Sequence, residues 1–175
     1  MSEQLGDGPP PGAEALPANQ LPTTHIGNEE RLFRAVSDHE NHHATDPSGM
    51  LLHLCHSAFN DREKRPSVDR ENLQTGGPEA TRLNASDGIV VLQADEVRGI
   101  HGVVTLDAKQ QPLDSHAVDV WHRPLAENPS HGQIEAAPEI QSPGTWKRLK
   151  ESLCRVAGKR GWLLRPASAR ESAPL

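Results

Sequence analysis

The stretch TWKRLKESLCRVAG, residues 145–158, constrains the fold more than any other part of the chain. Trp146, Leu149, Leu153 and Val156 recur at spacings of three and four, so they share one stripe of a helix, with Thr145 as the expected N-cap and Gly158 as the stop. A helix with one apolar stripe has to bury it against a second layer. The remaining apolar runs are short and rich in β-branched residues, which makes that layer a sheet: RLFRAV (31–36), DGIVVLQAD (87–95) and the alternating HAVDVWHR (116–123). GIHGVVTLD (99–107) and SHGQIEAA (130–137) add two further strands, MLLHLCHSAF (50–59) is open between strand and helix, and PEATRLN (78–84) reads as two helical turns behind Pro78. The expected class is therefore α+β: a small, mainly antiparallel sheet with a C-terminal amphipathic helix on one face and disordered tails.

The tails follow from composition. Residues 1–27 hold five prolines and three acids, no Lys or Arg, and no apolar period, and such a segment buries too little surface to offset its chain entropy. Residues 1–27 are expected as a disordered acidic arm, 28–165 as a single α+β domain, and 166–175 as a disordered tail. With no tyrosine, two Phe and three Trp, the core has to be aliphatic and small. No run approaches a membrane span, and the first twenty residues lack the basic and apolar regions of an export signal, so a soluble, cytoplasmic protein is expected. Cys55 and Cys154 stand far apart and read as partly buried thiols.

Three groups of residues carry candidate chemistry. Ten histidines are many for 175 residues. His39, His42 and His43 in HENHH, with His53 and His56 flanking Cys55 in HLCH, offer imidazole and thiolate ligands of the kind zinc takes, although no four-residue His pair and no CxxC specifies a site. Lys147, Arg148, Lys150, Arg155, Lys159 and Arg160 make the C-terminal helix basic in a chain of net charge -6, a face for an acidic protein partner or for nucleic acid, but without an aromatic for base stacking.

The third group lies in HSAFNDREKRPSVDREN, residues 56–72. Phe59 should be buried, holding Ser57, Asn60 and Asp61 rigid beside it. Val68 should point inward, leaving Ser67 and Asp69 together on the other side of the chain. These polar groups either close backbone turns or leave an oxygen free to face Arg34 and His131.

The order LFR (32–34), HSAFND (56–61), RPSVDR (65–70) and ENPSHGQI (127–134) resembles a set of small uncharacterised bacterial proteins that share LFR, SAFxD, SVD and NPxH elements. The resemblance implies a bacterial origin, brings no activity with it, and marks Arg34, Ser57, Phe59, Asp61, Ser67, Asp69 and His131. Because no complete catalytic set is visible, the expected function is a protein-interaction module with no cofactor. The alternative is an enzyme built on Arg34, Ser57, Asp61, Ser67, Asp69 and His131. An early-strand arginine followed by a serine is similar to the order in ADP-ribosyltransferase-like domains, which implies NAD, its phosphates held by Arg34. The chain departs from that pattern in lacking tyrosine and a late catalytic glutamate motif, although Glu127 and Glu135 are available. A His-based zinc hydrolase is the other enzyme form.

Overall fold

The computed structural model describes residues 26–171, and the expectations for residues 1–25 and 172–175 lie outside the described residues. Among the described residues ten strands form, β1 (Arg31–Val36), β2 (His43–Thr45), β3 (Leu51–Leu54), β4 (Ser67–Arg70), β5 (Gly88–Gln93), β6 (Val104–Leu106), β7 (Pro112–Ser115), β8 (Ala117–His122), β9 (His131–Ala137) and β10 (Trp162–Leu164). The helices are α1 (Ala94–Arg98), α2 (Pro143–Gly158) and α3 (Ala167–Glu171). Six strands make one antiparallel sheet in the order β10-β5-β1-β4-β9-β8, and β2-β3 and β6-β7 are separate two-stranded hairpins. This is the expected α+β class.

β5 shows why GIVVLQ is a continuous apolar run. Val90 and Leu92 enter the main core with Leu32, Val68, Ile134 and the α2 stripe, whereas Ile89 and Val91 pack with Phe33 on the other face. A strand covered on both faces has no polar side to alternate with. β8 has one solvated side, and it alternates as expected, Val118 and Val120 buried and Ala117 exposed. All four residues of the α2 stripe are buried.

Several elements differ from expectation for identifiable reasons. The cap of α2 is Ser142, whose hydroxyl accepts from the Thr145 amide at 3.3 Å with Pro143 in the first turn, so the helix starts three residues before its apolar stripe. Thr145 is instead fully buried, its hydroxyl donating to the Val104 carbonyl. GIHGVVTLD contributes only β6, which pairs with β7 outside the main sheet. PEATRLN forms one 3-10 turn, Pro78–Thr81, that packs across β1, β5 and β10. Replacing Ser142 by alanine removes one cap acceptor and is expected to lower unfolding free energy by about 1 kcal/mol, read from chemical denaturation with an unchanged m-value.

The ordered chain is longer than the expected 28–165. Ile26 is fully buried in the main core, and at the other end α3 docks back on the domain. The Ser168 amide donates to Asp38 at 2.9 Å, its hydroxyl donates to the same carboxylate, and Ala169 is buried. Gly49, at φ +79, lies directly against the Ala169 carbonyl, where any Cβ would collide. Pro and Ser in RPASARESAPL suggest an unstructured tail, but over residues 167–169 these long-range contacts override local composition.

Candidate functional site

The site grows from a row of side chains across three strands. Phe33 of β1 pairs with Asp69 of β4, and Asp69 pairs with His131 of β9. Side chains alternate along a strand, so Ser67 shares the face of Asp69 while Val68 enters the core opposite, as the sequence suggested. The row floors a cavity of about 400 Å³ on the side of the sheet away from α2. Ala80–Leu83 and the Leu125–Asn128 loop supply its walls, and Arg34 and Asp61 close one end.

Five of the six candidate catalytic residues therefore converge: Arg34, Asp61, Ser67, Asp69 and His131 all line this cavity. Ser57 does not. It sits in a 3-10 turn, His56–Phe59, and its hydroxyl donates to the Asn41 carbonyl, so it ties two loops together. Phe59 is fully buried and anchors that turn, as expected.

Arg34 is a clamp. Its five N–H groups are all used: two meet the Asp61 carboxylate at 3.1 and 2.8 Å, two meet the Ala58 carbonyl at 3.3 and 2.7 Å, and one meets the Ser67 carbonyl at 2.8 Å. The guanidinium also lies 5.2 Å from the Phe59 ring centroid. No donor remains for the phosphates of a nicotinamide nucleotide, which corrects the role expected for Arg34 in an NAD-using enzyme. Glu135 is likewise engaged, taking two hydrogen bonds from Arg123 at 2.7 and 3.1 Å, and Glu127 is an exposed residue at the cavity mouth.

The chemistry concentrates on Ser67 and His131. His131 Nδ1 lies 2.6 Å from the Arg123 carbonyl, which can only accept, so the neutral ring carries its proton on Nδ1. That leaves the Nε2 lone pair for the Ser67 hydroxyl, 3.2 Å away. The carbonyl is held by the backbone, because the Arg123 amide donates to the His131 carbonyl at 3.0 Å, and the Arg123 side chain is tied in turn to Glu135. A hydroxyl, a base with a set tautomer and a group that orients the base thus stand in line beside a cavity.

Asp69 positions this array. Its carboxylate accepts from Asn128 at 2.7 Å and Gln74 at 3.0 Å, and Asn128 also takes the Ser130 hydroxyl at 2.6 Å, so the Asn128-Pro129-Ser130 turn is pinned where it delivers His131 into β9. Asp69 and His131 are 5% and 7% exposed, so the array is set into the sheet and not spread on a surface. Asn128, Arg123, Gln74 and Arg82 were not singled out from the sequence. Asn128 belongs to ENPSHGQI, whose Asn-Pro pair signals a turn; the others carried no local signal.

The expected metal ligands do not converge. Among the described residues no group of three or more His, Cys, Asp or Glu side chains is placed to hold a metal ion. His39 and His42 have ring centroids 6.0 Å apart, His43 packs edge-on against Trp162 at 5.0 Å, and His53 and His56 are exposed elsewhere. Burial lowers the pKa of His42 and of His43. The Cys154 thiol is pushed up to about 12, chiefly by burial, and donates to the Cys55 carbonyl at 3.2 Å; both cysteines are free.

The basic helix is also partly spent on the fold. Lys150 is buried, with Nζ 3.0 Å from Asn60 Oδ1; Lys159 and Arg160 meet Glu96 at 3.8 and 2.5 Å; Lys147 faces Glu151 at 3.9 Å. Arg148 and Arg155 stay exposed. No helix among the described residues is long and apolar enough to cross a membrane. No family model, curated protein or solved structure matches the chain, so the site is read from its own chemistry.

Proposed function

We propose that the protein is a hydrolase of the serine-nucleophile class, acting on a small ester that fits the cavity above Phe33, Ser67 and His131. The observation that carries this reading is the Ser67 Oγ to His131 Nε2 alignment at 3.2 Å with Nδ1 engaged by a backbone carbonyl. His131 Nε2 takes the hydroxyl proton as Oγ bonds to the ester carbonyl carbon, and the imidazolium then gives that proton to the leaving alcohol. Water adds to the acyl-serine, its proton passes to Nε2 and on to Oγ, and the acid departs. Ester and water become acid and alcohol, with Ser67 and His131 restored. The carbonyl of Arg123 takes the part of the orienting acceptor, which in serine triads is a carboxylate.

Polarisation of one serine above all others is the property to test. A fluorophosphonate probe phosphonylates an activated serine, its P–O bond to Oγ forming as fluoride leaves. It is expected to label Ser67, located by peptide mass spectrometry, and to leave Ser67→Ala unlabelled. Labelling that is absent, or spread evenly over other serines, would remove the hydrolase reading and return the domain to an interaction module.

A further inference from the structure

Arg82 has the opposite character to Arg34. It lines the same cavity, just after the 3-10 turn that packs across the sheet. Its Nε is buried without a hydrogen-bond partner, and its Nη2 reaches the Arg165 carbonyl at 3.5 Å, the outer limit of a hydrogen bond. Among the described residues no carboxylate forms an ion pair with it. A half-buried guanidinium with an unused buried donor is costly unless something else completes it.

The competing acids of the cavity are already accounted for. Arg34 occupies Asp61, and the Asn128 and Gln74 amides occupy Asp69. Glu127 is exposed at the mouth, where solvent screens it. Beside Arg82 the rim is apolar, with Leu83 86% and Leu125 41% exposed.

We infer that Arg82 is the recognition residue for an oxyanion, a carboxylate or phosphate, on the small molecule this cavity takes. Its guanidinium receives the fixed charge, while Leu83 and Leu125 cover the apolar part. This rests on the same cavity as the hydrolase reading but predicts binding whether or not chemistry follows.

Two measurements separate the claims. In 1H–15N spectra of the intact chain, inorganic phosphate or acetate is expected to shift the Arg82 Nε–H signal saturably, the larger response telling which oxyanion fits. Arg62→Gln, at an exposed arginine, should leave the response unchanged. In turnover, 4-nitrophenyl hydrogen succinate should be preferred over neutral 4-nitrophenyl butanoate, and Arg82→Gln should cut that preference about tenfold to a hundredfold, with Arg82→Lys losing less. Anion binding without turnover of either ester would support Arg82 and sink only the hydrolase. No shift with either anion overturns the inference. So does an equal loss on both esters, which would make Arg82 a donor to the transient oxyanion.

Discussion

Replacing Arg34 by methionine is expected to lower unfolding free energy by about 3 to 5 kcal/mol, the cost of removing one partner from a buried, hydrogen-bonded ion pair. The side chain is 12% exposed and its partner Asp61 21%, so solvent replaces only a small part of what is lost. Methionine matches the length of the arginine stem, so the effect reports the guanidinium. Three acceptors are left short at once: the Asp61 carboxylate and the Ala58 and Ser67 carbonyls. Lysine keeps the charge but has three donors in a different geometry, and it should recover less than half of the loss. Asp61→Asn, combined with Arg34→Met, should cost much less than the sum of the singles, because the double variant buries no uncompensated charge. Thermal melts suffice: at about 3 °C per kcal/mol for a domain of this size, the single variant falls by roughly 10 °C. A shift below about 2 °C would show that the clamp does not hold β1 to the 58–67 segment.

The clamp also explains which parts of the site were legible. Phe59 and Val68 could be read as anchors because large apolar residues in a chain poor in aromatics have few places to go. From Val68, strand alternation placed Ser67 and Asp69 together. Convergence with Arg34 and His131 depended on sheet order, which β4, four residues long with three polar members, does not announce. Ser57 misled because HSAF is a 3-10 turn, where neighbours do not alternate between two faces. Arg34 and Arg82 look alike in sequence, and their roles part only when donors are counted: one arginine is used up by the backbone and Asp61, the other is left incomplete. The same holds for the histidines. Their density suggested a metal, but a ligand set requires side chains to point at one spot, and here they serve separate loops, a ring contact and the array at Ser67.

The remaining large effect belongs to His131. His131→Ala is expected to slow fluorophosphonate labelling of Ser67, and any ester turnover, by about a hundredfold to ten-thousandfold, the range a positioned general base contributes. The fold should survive, since the change removes two hydrogen bonds, worth about 1 to 3 kcal/mol together, and leaves the core intact. A structural histidine would also slow the reaction if its loss let β4 and β9 drift, so rate alone does not separate the roles. Added imidazole does. The vacated space beside Ser67 has the Arg123 carbonyl at one end to orient the free ring, and imidazole should restore labelling in His131→Ala but not in Ser67→Ala. Asp69→Asn provides the contrast. It weakens the acceptor that holds Asn128 while keeping His131, so it should slow labelling less, and imidazole should not restore it. Wild-type labelling rates in His131→Ala would mean that the Ser67 hydroxyl is not activated by this ring, and that the row Phe33, Asp69, His131 serves to pack the sheet.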